Sequence, residues 1–500
     1  MRLSEHLAAM LALDPAAPAV ELDGVWTTWG ELGGVAADVE RLVMAAGPQT
    51  PRAVGVLLAN RPSIVGAVIG VLLGEGCIVT LNPHQGDRGL GDDVRTLRPP
   101  VVIATDEDWQ RPGLLETVRD LGLAGIAVQV GTGAGARNVT GLERTTAEGC
   151  RQAEPGVAVE MLTSGTTGPP KRVPLASASF ERTIAAAGAH YRKGESSGPT
   201  GPRLRSGVAL VTSPFVHMSG IFRMLLNLCE GRPIALLDRF SVPAWEELVR
   251  RHRPRAVSLV PAALAMVYDA DVEPEVFESI DVVTSGSAAL DPELQLRFEQ
   301  RYGVAVLPSY GATEFAGGVA GWTLALHQEW SANKRGSVGR PQPGRRLRVI
   351  DPDTNTEVSI GESGLLEVAS GDGPWVRTTD LARIDADGFV WIDGRTDDAI
   401  LRGGFKVFPG EVADALRTHA DVLDAGVVGL SDARLGQVPV AAVELRPGSR
   451  ASSEAILAHA AERLAGYKVP REVLVVEALP RTPSLKVSGP GVRALFEEAT

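Results

Sequence analysis

The sequence predicts an α/β protein: a large N-terminal domain of α/β layers with a small β subdomain, then a small α+β C-terminal domain. Three observations predict it. The chain has 500 residues, and one hydrophobic core rarely grows past roughly 250–300, so two or more domains are required. From residue 53 onward short apolar runs alternate with longer helical patterns, as in a largely parallel sheet. After residue 332 the pattern turns to short, turn-punctuated strands and then to a mixed helix–strand segment.

The elements follow in order. Ala53–Leu58 reads as a buried strand, Ser63–Leu73 as a helix and Cys77–Leu81 as a strand. Val101–Ala104 and Ile126–Val130 repeat the strand signal, with a helix over Gly113–Leu121 between them. Val208–Val211, Ile234–Leu237, Ala256–Leu259, Val282–Thr284 and Val304–Pro308 read as the later strands. Ile221–Leu228, Pro243–Arg251, Pro261–Asp269 and Pro292–Arg301 read as the helices among them. The Gly/Pro-rich Gly336–Gly344 opens a small β subdomain with strands at Leu347–Ile350, Leu365–Val368 and Gly388–Ile392. Asp393–Arg402 is polar and turn-like, so the domain boundary is placed near Arg395–Asp398, dividing the chain into 1–395 and 396–500. The second part predicts a helix over Gly410–His419, strands over Ala425–Leu430 and Val438–Leu445, a helix over Glu454–Leu464 and a strand over Glu472–Val476. Arg137–Glu154 and Lys193–Arg205 read as surface loops or lids.

Composition narrows the function classes. Hydrophobic residues make 44% and charged residues 22%, an ordinary globular balance. The net charge of −12 lacks the basic footprint of a general nucleic-acid binder, so no nucleic-acid partner is expected. Cys77, Cys150 and Cys229 lie far apart without a CxxC pair, which predicts reduced thiols and a cytoplasmic location. The longest apolar run, Pro62–Gly74, is too short for a membrane span, and the first residues show no signal-peptide pattern.

Leu162-Thr-Ser-Gly-Thr-Thr-Gly-Pro-Pro-Lys171 is the most informative segment. It follows a strand-like run, Ala158–Leu162, and Thr163, Ser164, Gly165, Thr166, Thr167 and Gly168 are all small or hydroxyl-bearing. Small residues let backbone N–H groups approach an anion, hydroxyls add donors, and Lys171 adds a point charge for a polyphosphate. It is not a Walker A loop, because Pro170 precedes the lysine and Arg172 follows it.

This segment resembles the phosphate loop of the adenylate-forming superfamily of acyl-CoA synthetases, adenylation domains and luciferases. Further motifs repeat that family's order between Thr27 and Leu495. Pro214-Phe-Val-His-Met-Ser-Gly220 resembles the motif that lines the acyl pocket. Ser285-Gly-Ser-Ala288 resembles the adenine loop, and Tyr310-Gly-Ala-Thr-Glu314 the motif that stacks adenine, contacts the α-phosphate and helps hold Mg²⁺. Thr378-Thr-Asp380 resembles the ribose-binding Thr-Gly-Asp, and Gly394-Arg395-Thr-Asp397 the ribose- and phosphate-contacting arginine with its hinge aspartate. Arg402-Gly-Gly404 resembles the acceptor-tunnel loop, and Pro480–Lys486 the segment with the catalytic lysine.

The resemblance implies ATP-dependent activation of a carboxylic acid, aryl or medium acyl, to an acyl adenylate with pyrophosphate release. Transfer to the thiol of CoA would follow, and the C-terminal domain would be mobile. Lys486, Thr313, Glu314 and His217 are the implied catalytic residues. ATP would be held by Thr163 to Gly168, Lys171, Gly286, Ser287, Ala288, Tyr310, Gly311, Asp380 and Arg395. Phe215, His217, Gly220, Ile221 and Ala312 would line the acid pocket. Glu314 and Thr166 would hold Mg²⁺, Asp397 would be the hinge, and Gly403 and Gly404 would line the acceptor tunnel. The implied partner is a small-molecule carboxylic acid, with a carrier protein and a second copy of the chain as further candidates. A different acceptor or oxyanion is the alternative: a carrier-protein thiol, an amine, or nitrite activation of the diazotase type. Val216-His217 offers no carboxylate for an α-ammonium, which argues against an amino-acid substrate.

Three positions depart from the family pattern. Leu485 replaces the glycine before the lysine, Ser488 replaces the arginine after it, and Thr379 replaces the middle glycine of Thr-Gly-Asp. If the Thr379 turn requires positive φ, a threonine there is strained. Two side chains keep two readings each. Glu314 either caps a helix or holds a cation. Arg223, inside an apolar run, either snorkels to the surface or faces the pocket and meets a second anion.

Overall fold

The computed structural model describes residues 2–47, 52–131, 133–163, 171–191, 201–396, 399–403, 405–432, 434–483 and 485–497. They form two compact units, the first built from 2–163, 171–287 and 297–319, the second from 288–296 and 320–497.

The first unit holds a seven-stranded sheet in the order Gly135–Asn138, Ala124–Gln129, Val101–Thr105, Ala53–Leu57, Cys77–Leu81, Val157–Thr163, Lys171–Ala176. Its five central strands are parallel and its two edge strands antiparallel. Ala53–Leu57 and Cys77–Leu81 are buried at every position, which is why they read as unbroken apolar runs. The helix Pro62–Leu73 is apolar all round and buried from Pro62 through Leu72. It meets the helix Trp29–Ala46 through Gly70, where a Cβ would stand 2.5 Å from the Ala36 carbonyl oxygen. A second sheet joins Ala209–Val211, Ile234–Leu236, Pro18–Leu22 and Val25–Thr28. Ala256–Ser258, Val282–Ser285 and Ala305–Ala312 run parallel in a third.

The second unit contains an antiparallel sheet of Arg345–Ile350, Gly364–Ser370, Val376–Ile384 and Val390–Arg395. It also holds a sheet of Phe405–Val407, Ile400–Arg402, Gly436–Leu445 and Val422–Asp432, which Val473–Val476 joins in parallel. The helices Pro409–Arg417, Ser453–Arg463 and Gly489–Glu497 accompany that sheet.

The predicted α/β class, the small β subdomain and the α+β tail are therefore present. Several details differ. Asp393–Arg402 is not all turn, since strands reach Arg395 and resume at Ile400. Arg137–Glu154 starts in an edge strand, Gly135–Asn138, paired with Ala124–Gln129. Lys193–Arg205 lies partly outside the described residues. Among the described residues no helix is long and apolar enough to cross a membrane.

Candidate active site

The strands Val157–Thr163 and Lys171–Ala176 pair with Thr163 opposite Lys171. Ser164, Gly165, Thr166, Thr167 and Gly168, with the side chains of Thr163 and Lys171, lie outside the described residues. The base of this hairpin is pinned by Arg172, which donates to the Thr80 carbonyl at 3.0 Å and the Glu160 carbonyl at 3.3 Å. Burial pushes the Arg172 guanidinium below its ordinary pKa.

The predicted acid wall is held from a distance. Asn60, buried, donates to the Ser213 carbonyl at 3.2 Å and the Leu237 carbonyl at 2.8 Å, and its Oδ1 accepts from the Phe215 N–H at 2.9 Å. Phe215 and Ile221 are fully buried. His217 is the N-cap residue of the helix Met218–Cys229 and is half-buried. Gly220 has no room for a side chain, since a Cβ would stand 2.1 Å from the Pro214 carbonyl oxygen. Arg223, half-buried on that helix, does not snorkel free of the protein: its Nη2 donates to Thr284 Oγ1 at 3.1 Å.

Thr284 is the penultimate residue of the parallel strand Val282–Ser285, which pairs with Ala305–Ala312 in the register Thr284↔Leu307 and Ser285↔Pro308. Loops at the carboxyl ends of parallel strands are where open α/β sheets bind ligands. Gly286 packs on the neighbouring strand, where its Cβ would meet Ser309 Oγ at 2.6 Å. Ser309 Oγ in turn donates to the Ser285 carbonyl at 3.3 Å. The predicted adenine loop is thus tied to the residue preceding Tyr310. Ser287 is exposed and takes φ +73°. Ser285 Oγ is buried and has no hydrogen-bond partner among the described residues. Gly311 is compressed, its Cβ position lying 2.6 Å from the Gly317 carbonyl oxygen. Ala312 precedes a single 3₁₀ turn, Thr313–Phe315. Glu314 in that turn is exposed and has no hydrogen bond or ion pair among the described residues, so the capping alternative does not hold. An exposed, uncommitted carboxylate suits a hard divalent cation. Ala288, exposed, belongs to the second unit.

Within the second unit Asp380 and Arg395 are register partners on adjacent strands. Arg395 Nε stands 3.9 Å from Asp380 Oδ1, and Arg395 Nη2 donates to Thr379 Oγ1 at 2.7 Å. Thr379 lies in a strand and outside the positive-φ residues, so the strain anticipated there is absent. Thr378 Oγ1 donates to the Leu366 carbonyl at 2.8 Å and accepts from the Asp380 N–H at 3.1 Å, fixing the strand on either side of Thr379.

Strain appears instead at Leu485, where φ is +64°. Lys486 follows it. Its side chain is surface-exposed, yet burial of its surroundings and the Arg395 guanidinium push its ammonium below the ordinary pKa. Gly403 takes φ +58° and donates its N–H to the Leu435 carbonyl at 2.7 Å. Asp397 and Gly404 lie outside the described residues.

Asn60, Thr284 and Ser309 were not anticipated. The first two act through partners distant in sequence, and only the place of Thr284 beside the Ser285–Ala288 motif hinted at a role.

The model of the AMP-binding enzyme family matches residues 8–374, and that of the AMP-binding enzyme C-terminal domain matches residues 411–486. The chain belongs to this family, the adenylate-forming enzymes. A sulfoacetate–CoA ligase of Cupriavidus necator is 34% identical over 349 residues, 66% of this chain and 65% of that protein. A 4-coumarate–CoA ligase 5 of Oryza sativa subsp. japonica is 30% identical over 404 residues, 75% of this chain and 73% of that protein. The ATP-bound structure of MatB from Rhodopseudomonas palustris superposes with a TM-score of 0.80 at 23% identity, covering 100% of this chain and 99% of that one, a likeness of fold.

Proposed function

We propose that this protein is an ATP-dependent, AMP-forming acid–thiol ligase. It activates an aryl or medium acyl carboxylic acid as an acyl adenylate, releases pyrophosphate, and passes the acyl group to CoA. The observation that carries this reading is the uncommitted carboxylate of Glu314, four residues after Tyr310 on the strand–turn beside the Gly286 loop. Family membership and CoA-ligase relatives support it.

A carboxylate is a poor electrophile, and its attack on the α-phosphate of ATP concentrates negative charge on phosphoryl oxygens. Catalysis is then positioning and electrostatic stabilisation. Lys486 would bridge the carboxylate and α-phosphate oxygens. Thr313 contacts the α-phosphate, Tyr310 stacks on adenine, and Asp380 with Arg395 holds the ribose. Glu314, with Thr166, would hold Mg²⁺, which supplies charge neutralisation for the polyphosphate. Residues 1–395 bind ATP and acid. Residues 396–500 deliver Lys486 and then, turning at Asp397, the Gly403–Gly404 pair past which a thiol arm can run, because no Cβ narrows the path. The thiols of Cys77 and Cys229, pushed up to about 12 by burial, stay protonated and offer no nucleophile to this chemistry.

The test is acid-dependent pyrophosphate release from ATP across a panel of aryl and acyl acids, amino acids and nitrite, followed by mass spectrometry of products with CoA, a carrier protein or an amine. Acid-independent ATP turnover, or none, would sink the reading. Lys486→Ala should slow adenylation by at least about 100-fold while sparing thioester formation from supplied adenylate.

A further inference from the structure

Both peptides that flank Lys486 are held. The Lys486 carbonyl accepts from the Thr482 N–H at 2.8 Å. That bond sits in a short antiparallel bridge of Arg481 with Val487, closed by the Ser488 N–H on the Pro480 carbonyl at 2.8 Å. On the other side, the Leu485 carbonyl accepts from Arg481 Nη1 at 3.2 Å. Peptides are planar, so a residue whose two peptide planes are held has its Cα–Cβ direction held as well. The peptide before the lysine is also the strained one, because Leu485 takes φ +64°, a conformation that a residue with a Cβ adopts reluctantly. A strained peptide keeps its shape only where its surroundings impose it, and here the tie is a charge-assisted hydrogen bond from a side chain four residues back.

Arg481 is itself anchored to the sheet. Its Nη2 donates to Asp424 Oδ2 at 2.8 Å and forms an ion pair with Glu444 Oε2 at 3.5 Å. Asp424 and Glu444 are register partners on the antiparallel strands Val422–Asp432 and Gly436–Leu445. Like charges placed opposite each other repel, and the guanidinium between them offsets that. Asp424 Oδ1 accepts from Arg417 Nε at 3.1 Å, at the end of the helix Pro409–Arg417. One side chain therefore joins the peptide before Lys486 to two strands and, through Asp424, to a helix. A planar guanidinium holds a carbonyl with one nitrogen and a carboxylate with another at the same time, which a single ammonium on a flexible stem does less well.

We propose that Arg481 is a positioning residue for Lys486. It ties the strained Leu485 peptide to Asp424 and Glu444, and so keeps the lysine pointing in the direction that adenylation needs. This proposal rests on the adenylation role of Lys486 proposed above and deepens it.

The experiment measures two half-reactions of the full chain: acid-dependent pyrophosphate release from ATP, and thioester formation from CoA and supplied acyl adenylate. Arg481→Met should lower kcat for pyrophosphate release about 10- to 100-fold, as misplacement of a reacting group does. The KM values for ATP and acid should stay unchanged, and thioester formation should be spared. Arg481→Lys reaches the carboxylates or the carbonyl but not both, so its kcat should fall between those of Arg481→Met and the wild type. In a Lys486→Ala background, adding Arg481→Met should cost pyrophosphate release nothing further, because a residue that acts only through the lysine has nothing left to position. A wild-type kcat in Arg481→Met, an equal loss in both half-reactions, or a further loss in the Lys486→Ala background overturns the positioning role and leaves the acid-activating reading standing. Pyrophosphate release that ignores Lys486→Ala removes the lysine from adenylation and Arg481 with it. No pyrophosphate with any acid overturns the acid-activating reading itself. Should Arg481→Met fail to fold, Arg481→Lys decides, and a wild-type kcat there overturns the tie.

Discussion

Asn60 Oδ1 accepts a hydrogen bond from the Phe215 N–H at 2.9 Å, a contact between residues 155 apart in sequence. The same amide donates to the Ser213 and Leu237 carbonyls, so one buried side chain fixes the backbone on which Phe215 and His217 stand. Asn60→Ala should leave those groups unpaired and cost about 2–4 kcal/mol. Thermal unfolding should show a lowered Tm, and surviving protein should show a raised KM for the acid with little change in KM for ATP.

Arg395 Nη2 meets Thr379 Oγ1 at 2.7 Å. A glycine at position 379 would offer no such acceptor. Thr379→Val keeps the shape and removes the acceptor, and the site is exposed, so stability should hardly move. The KM for ATP should rise by about 3- to 10-fold, and Thr379→Ser should restore it. Unchanged ATP kinetics in Thr379→Val would dissociate this contact from nucleotide binding.

The parts legible in the sequence share a physical cause. Strands buried on both faces, such as Ala53–Leu57, are continuous apolar runs, and site motifs such as Tyr310–Glu314 are contiguous. Val376–Ile384 was missed because its first four residues are mostly exposed and polar, so the alternation of a one-sided strand is blurred. The helix Trp29–Ala46 was missed although its start is written locally: Thr28 and Glu31 form a reciprocal capping box. Asn60–Phe215 and Arg223–Thr284 were not legible, because each joins positions that only the folded chain brings together.

Ser285 Oγ is buried without a partner among the described residues, a desolvated hydroxyl whose cost is not returned within the described part of the fold. Ser285→Ala should therefore leave stability unchanged or raise it by about 1 kcal/mol, the reverse of an ordinary buried serine. Chemical denaturation at constant m-value measures it, and a loss above about 1 kcal/mol would mean the hydroxyl is paired in solution.

Leu485 holds φ +64° while its N–H donates to the Thr482 carbonyl at 2.8 Å, and Thr482 donates in turn to the Lys486 carbonyl at 2.8 Å. The tight loop imposes the left-handed conformation, which a branched Cβ tolerates worst. Leu485→Val should lower Tm, by the equivalent of about 1 kcal/mol, whereas Leu485→Gly should relieve the strain and hold Tm level or raise it slightly. An ordering in which valine is better tolerated than glycine would mean that the loop relaxes in solution.

The Lys486 ammonium is pushed below its ordinary value of 10.5, first by burial of its surroundings and second by the Arg395 guanidinium. A lysine whose pKa is depressed on folding binds its proton less tightly in the folded chain than in the unfolded one. Keeping it protonated therefore costs stability at neutral pH, and the cost fades as pH rises through the folded-state value toward the ordinary one. The proposed adenylation runs the other way, because a lysine that bridges two anionic oxygens must carry its proton. Acid-dependent pyrophosphate release should thus lose rate on an alkaline limb that begins below the ordinary lysine value of 10.5. Replacing Arg395 by Gln removes the like charge, so Lys486 should hold its proton to higher pH and the limb should move upward, even where loss of the proposed ribose contact lowers the overall rate. Arg395→Lys keeps the charge and should leave the limb where it is. A kcat/KM profile for ATP from about pH 7 to about pH 10.5 reads this directly. A limb unmoved in Arg395→Gln would mean that burial alone depresses Lys486, and a limb absent from the wild type would remove Lys486 from the adenylation step.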